Sequence, residues 1–497
     1  MEKFVLAIDQ GTTSSRAVIF NRQLHKIAAA QREFPQHFPL PGWVEHNPYD
    51  ILRSVLSVIN EAIVKAGIAA EQIAAVGISN QRETVVLWDK DTGRPVCPAI
   101  VWQCRRTAEM ADALIAGGYG EKIQAKTGLF PDAYFSGTKI KWILDNISGV
   151  RSRAESGKIL AGTIDSWLIW NLSGKKAHVT DFTNASRTML FNIHTLAWDD
   201  ELLQLLSIPK SVLPEVRDTS GVFALTDKNI CGFEAPISAA VGDQQSALFG
   251  QSCFNTGDTK VTYGTGCFLL MNTGKSAVSS KHKLLTTIAL GAKDGVEYAL
   301  EGSVFMGGAL IKWLRDQLGI IQSAHEVDTL AESVENSGGV VVVPAFTGLG
   351  APYWDSYARG TILGLTRGTN KAHICRAVLE AIAFQVKDEL VCMQEDSGIK
   401  LPSLKVDGGA CVSNLLLQFQ ADILNTPIYR PENTESSVTG AAFLAGLATG
   451  FWANREEIRS AWRVEQVFTP GMDEDERNER YSLWKRAVER SRSWQMP

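Results

Sequence analysis

Two kinds of chemistry are written into short polar strings that follow apolar runs. Asp9-Gln10-Gly11-Thr12-Thr13-Ser14-Ser15-Arg16 sets a carboxylate after the apolar run 4–8, then a glycine, four hydroxyls and a guanidinium. Backbone N–H groups turned inward in such a bend form an anion-binding concavity. The hydroxyls add donors for phosphate oxygens, Arg16 adds a charged fork, and Asp9 suits Mg²⁺ directly or through water. An ordinary hairpin turn rich in small residues has the same composition, so this string alone leaves both readings open. Gly264-Thr265-Gly266 and Asp407-Gly408-Gly409 repeat the theme of a glycine turn after a strand. Each alone is a plain tight turn. Three of them spread over both halves suggest a nucleotide held between two lobes.

The second kind is proton transfer. Gly242-Asp243-Gln244-Gln245 follows the small apolar run 237–241. An acid at the end of a strand beside a cleft is a candidate general base, and a helix cap is the competing reading. Asn80-Gln81-Arg82-Glu83-Thr84 follows another strand and puts five polar side chains into one bend, as a small-molecule site or as a solvated loop. Several common motifs are missing. Gly274-Lys275-Ser276 would be a phosphate loop only with glycine at 269, which is leucine, so a surface turn is expected there. No dinucleotide fingerprint follows a strand, and neither H-E-x-x-H nor G-x-S-x-G occurs.

Elements must hold these strings in place. Residues 4–8 and 17–20 read as a hairpin around the Gly11-Thr12 turn. Residues 260–271 read as another around Gly264-Thr265-Gly266. The two turns lie half a chain-length apart, which suggests two similar halves, although two unrelated hairpins would look the same. Asn47, Pro48 and Asp50 start a helix that Gly67 ends, with Leu52, Val55, Leu56, Ile59, Ala62 and Ile63 at helical spacing. Residues 73–78 and 404–406 read as buried strands, 374–393 and 415–424 as helices. Residues 441–451 read as a buried helix, 221–241 as a loop-rich connection. The charged last 25 residues, with Trp484 and Trp494, are expected to dock loosely on the surface. Alternating strands and helices argue an α/β fold.

Bulk properties remove other classes. A chain of 497 residues needs two large domains or three ordinary ones. Forty-nine basic side chains against 54 acidic ones leave a net charge of −5, with no basic excess to bind nucleic acid. Eight scattered cysteines without a Cys-x-x-Cys pair are expected to be reduced, mostly buried thiols. No stretch approaches the ~18 apolar residues of a membrane span, and no signal segment is legible at the start, so a cytoplasmic protein is expected.

Taken together, the strings 9–16, 41–46, 80–84, 100–106, 134–142, 181–191, 242–245, 263–268, 344–354 and 406–410 are recognisable. The chain resembles the FGGY family of carbohydrate kinases from about residue 4 to residue 490. The resemblance implies a two-domain, actin-like (ribonuclease H-like) ATPase fold with the active site in the cleft. Residues 1–250 would bind substrate and phosphate, residues 251–497 the nucleotide. It implies Mg²⁺-dependent in-line transfer from ATP to glycerol, with Asp243 as base. Arg82, Glu83, Tyr134, Asp243 and Gln244 would bind glycerol hydroxyls, and Trp102 and Phe268 would cover its carbons. Thr12, Thr13, Ser14 and Arg16 would meet the phosphates, Thr265, Gly308 and Gly409 would complete the nucleotide site, and Asp9 and Asp243 would lie near Mg²⁺. A homodimer or homotetramer is implied as well. Another polyol or ketose as substrate, or a non-catalytic nucleotide sensor, are the alternatives. Lys312 and Ser413 depart from the family pattern at the adenosine end. Residues 227–236 lack the Gly- and Arg-rich loop that binds fructose 1,6-bisphosphate in some members, and no phosphotransfer histidine is evident there.

Overall fold

The computed structural model describes residues 2–292 and 295–495. Phe4–Gln10 is buried on both faces, and its alternation shows what covers each. Leu6 and Ile8 pack with Ile51, Val55 and Val58 of the helix Pro48–Ala66. Val5 and Ala7 face Val438, Ala441 and Ala445 of the helix Ser436–Ala448. Asn47 caps the first of these helices by accepting from the Tyr49 N–H, and Gly67 ends it in the left-handed conformation, as the sequence predicts.

The first sheet runs Ser220–Leu225, Pro236–Gly242, Ile73–Asn80, Phe4–Gln10, Ser14–Phe20, Lys26–Glu33. The last three strands are antiparallel neighbours, whereas Ile73–Asn80 and Pro236–Gly242 join in parallel. Asn80 pairs with both Gln10 and Gly242, so three strand ends open at one edge. That edge of a sheet with parallel strands is where ligands bind.

The second sheet repeats the plan. Thr259–Tyr263, Cys267–Gly274 and Gly295–Val304 are antiparallel neighbours, and Leu404–Asp407 and Ile428–Pro431 join in parallel. The two Gly-Thr turns therefore occupy equivalent corners, which answers the question their spacing raised. Val261, Leu269 and Leu300 pack with Val378 and Ile382 of the long helix Lys371–Ser397.

Chain halves and packed layers do not coincide. The helix Asp243–Gly250 follows the first sheet, but its Leu248 packs under Leu270 and Ala299 of the second. The helix Ser436–Ala448 follows the second sheet and covers the first. The two helices cross at contact distance. A Cβ on Gly440 would lie 1.9 Å from the Ser246 carbonyl oxygen, so only glycine allows this approach.

Two expectations fail. Residues 221–241 are not loop-rich: Ser220–Leu225 and Pro236–Gly242 are antiparallel partners around the short helix Lys228–Cys231. The run 237–241 is the strand already read before Asp243; its antiparallel partner Ser220–Leu225, largely part-exposed, is the one the sequence concealed. The C-terminal segment does not dock loosely. Trp484, Ala487, Val488 and Ser491 form one stripe on the helix Glu474–Ser491, and Trp484 is fully buried. Its ring stacks on Phe384 at 5.2 Å, and its Nε1 donates to Asp388 at 2.8 Å. Asp388 also accepts from Tyr353 and Tyr481. Charge dominated the composition and concealed this narrow stripe; Trp494 does lie exposed. Trp484→Ala is expected to cost about 3–5 kcal/mol in the chemical unfolding of the second lobe. A loss below about 1 kcal/mol would restore the loose-docking view.

Candidate active site

The 80–84 string is not a solvated loop. All five residues are buried. Arg82 O accepts from Thr84 N at 2.7 Å, and Glu83 takes a φ of 60°, an uncommon left-handed state for a non-glycine residue. This turn aims two charges into the interior. Arg82 Nη1 and Nη2 donate to Glu301 at 2.5 and 3.0 Å, and its Nε faces Asp243 Oδ1 at 3.1 Å. Glu83 accepts from Arg187 Nε at 2.6 Å, and Arg187 also donates to Glu301 at 2.9 Å. Two guanidiniums and two carboxylates thus form a closed quartet. Burial pushes the Glu301 carboxyl up, but the two arginines outweigh it and hold it below its ordinary range.

Aromatic rings wall this quartet. Tyr134 lies under Arg187, 5.6 Å from ring centre to guanidinium, and Trp102 meets Tyr134 edge-on at 5.6 Å. Trp102 Nε1 donates to Thr12 Oγ1 at 3.0 Å, joining the wall to the first glycine turn.

Asp243 is the first residue of its helix, preceded by Gly242 at the cap position. Its side chain stays 32% exposed, while the arginine beside it is 2% exposed. Its Oδ1 accepts from the Gln244 N–H at 2.8 Å and lies beside Arg82 Nε, whereas its Oδ2 has only a long contact with the Gln244 side-chain amide at 3.4 Å, so capping does not consume it. Gln244 is nearly buried, and its amide oxygen accepts from Lys260 Nζ at 2.5 Å. Phe268 is half-buried on the strand Cys267–Gly274. Asp9 accepts from Ser437 Oγ at 2.8 Å. Burial raises its carboxyl to about 6, with the Asp243 charge adding to the rise.

The three glycine turns differ in what they leave free. In the first, Gly11 N donates to Ser14 O at 2.9 Å, Thr13 is exposed and Ser14 accepts from Gln31. Arg16 is paired with Glu435 from the second half of the chain. The second turn leans on the start of the helix Gly308–Asp316: Gly308 N donates to Gly264 O at 2.8 Å and Gly307 N to Thr265 O at 3.0 Å. Thr265 stays exposed. The third turn abuts the second. A Cβ on Gly408 would lie 2.6 Å from Tyr263 O, and Gly409 is exposed. Lys312 is exposed on its helix. Ser413 caps the helix Asn414–Leu424 and bonds Asp328, a structural use of that hydroxyl.

Arg187, Glu301, Lys260 and Ser437 escaped sequence reasoning. Arg187 lies inside the recognised string 181–191 and Lys260 at the start of the 260–271 hairpin, but neither carried a role; Glu301 and Ser437 lie in segments to which no role was given. Replacing Glu301 with glutamine would turn an amide N–H toward donors that need an acceptor. The expected result is a rise of about 10- to 100-fold in KM for the small substrate of this cleft. An unchanged KM in a folded Glu301→Gln protein would detach the quartet from binding.

Comparison with known proteins points one way. The FGGY family of carbohydrate kinases matches through its N-terminal domain at residues 4–250 and its C-terminal domain at residues 259–449. A glycerol kinase of Caldanaerobacter subterraneus subsp. tengcongensis is 59% identical over 494 residues, 99% of each chain. Glycerol kinase 2 of Thermotoga maritima is 58% identical, also over 99% of each. Among solved structures, Plasmodium falciparum glycerol kinase with ADP superposes with a TM-score of 0.94 at 39% identity, covering 99% of this chain and 98% of that one.

Proposed function

Because the chain belongs to the FGGY family of carbohydrate kinases, we infer that its cleft transfers the terminal phosphoryl group of ATP to glycerol. Asp243 is the general base. The observation that carries this assignment is its partly exposed carboxylate, Oδ1 beside Arg82 and Oδ2 left only a long contact with the Gln244 amide, at the head of a helix between the polar quartet and the glycine turns. A hydroxyl placed on Asp243 loses its proton as it attacks phosphorus. Arg82, Glu83, Tyr134 and Gln244 hold the other polar atoms of glycerol, and Trp102 and Phe268 cover its carbons. Such a site rejects analogues that lack a hydroxyl, since their absence leaves buried groups unpaired. Residues 1–250 supply these groups and the phosphate contacts of Thr12, Thr13, Ser14 and Arg16. Residues 251–497 supply the nucleotide contacts of Thr265, Gly308 and Gly409.

Asp9 and Asp243 suit Mg²⁺. They are hard oxygen donors whose charges repel across the cleft, and a divalent ion relieves that repulsion. Among the described residues no group of three or more His, Cys, Asp or Glu could enclose a metal. Two carboxylates fit an ion that keeps waters and phosphate oxygens as its other ligands. When bound, Mg²⁺ supplies charge neutralisation on the phosphates. The same reading places the protein in the cytoplasm as a homodimer or homotetramer, on kinship alone.

The test is ADP release from Mg-ATP with glycerol, dihydroxyacetone, xylulose or gluconate. A large rise with glycerol above the rest is expected. Equal or greater rates with a ketose would move the substrate to another class.

A further inference from the structure

Lys260 is fully buried on the strand Thr259–Tyr263 of the second sheet. Three oxygens surround its Nζ: Gln244 Oε1 at 2.5 Å, Thr262 Oγ1 at 2.8 Å and the Phe268 carbonyl at 3.4 Å. An ammonium has three N–H donors and no acceptor, so three acceptors are what it can satisfy. The amide of Gln244 therefore has one permitted orientation. Its oxygen faces Lys260, and its nitrogen faces the other way, 3.4 Å from Asp243 Oδ2.

We propose that Lys260 is a positioning residue for the phosphoryl transfer: it fixes Gln244 as a hydrogen-bond donor beside the base. This rests on the glycerol reading above. The consequence is a directed pair of contacts. A hydroxyl seated between them accepts from the Gln244 N–H and donates to the Asp243 carboxylate. A free amide would offer its oxygen half the time and compete with the base for the same proton. Lys260 also spans the two layers, since Gln244 lies in the first turn of the helix that follows the first sheet while Lys260 belongs to the second.

A double-mutant cycle in the full-length protein tests this, with Lys260→Met, Gln244→Ala and both together. Lys260→Met is expected to raise KM for glycerol about 10- to 100-fold, with KM for ATP within about twofold. The double variant is expected to be little worse than the worse single, because each removes the same contact. Additive effects, or an unchanged KM for glycerol, would overturn the proposal. If Lys260→Met does not fold, Gln244→Glu decides. A carboxylate keeps an oxygen on Lys260 but has no donor for glycerol, so its KM is expected to rise at least as far as that of Gln244→Ala. A wild-type KM in Gln244→Glu would overturn the proposal. No glycerol-dependent ADP release by the wild-type protein would overturn the underlying reading instead.

Discussion

Asp243→Asn is expected to lower kcat roughly 100- to 10,000-fold while glycerol still binds, the range for losing a positioned general base. The asparagine keeps an oxygen near Arg82 Nε and leaves the helix start undisturbed, so folding should hold. Its amide cannot take the proton of the attacking hydroxyl. The barrier then rises by about 3–5 kcal/mol, counted at 1.36 kcal/mol per tenfold. Single-turnover phosphoryl transfer with pre-bound glycerol separates this from weakened binding. Turnover near the wild-type rate would remove Asp243 as the base and leave it a phosphate or metal neighbour.

Arg82→Ala is expected to act on binding first. Arg82 contacts Glu301, Gln245 and Asp243 at once. Losing its charge-assisted contacts to substrate costs about 1.5–3 kcal/mol each, which raises KM for glycerol about 10- to 100-fold. It also leaves Glu301 with one guanidinium instead of two, and a broken buried ion pair costs about 3–5 kcal/mol of stability. The unfolding midpoint should therefore fall with the affinity. Arg82→Lys keeps one charge but loses the fork, so it should recover stability more than KM. An unaltered KM for glycerol in Arg82→Ala would place Arg82 outside the substrate site.

The parts legible in the sequence were those with local causes. The helix Pro48–Ala66 announced its cap, its apolar stripe and its terminal glycine in the one stretch from Asn47 to Gly67. Both Gly-Thr hairpins were legible because a turn between two apolar runs is a short-range signal. Asp9 and Asp243 stood out because each follows closely on a short apolar run. The rest depended on partners far along the chain. Glu301 sits in Ala-Leu-Glu-Gly and looks like an interruption of a strand until Arg82, 219 residues away, meets it. Lys260 looked like an ordinary strand lysine until Gln244 met it from the other sheet's helix. The cross-packing of Asp243–Gly250 and Ser436–Ala448 left mainly small residues, glycine, alanine and serine, as its trace, and small residues state that something is close without stating what.

The most direct measurement counts both products in one reaction: ADP and glycerol 3-phosphate from Mg-ATP and glycerol, for the wild-type protein beside Asp243→Asn. One glycerol 3-phosphate per ADP, little ADP without glycerol, and a collapse of both in the folded variant are expected. ADP formed without glycerol 3-phosphate, or a variant as fast as the wild type, would contradict this expectation.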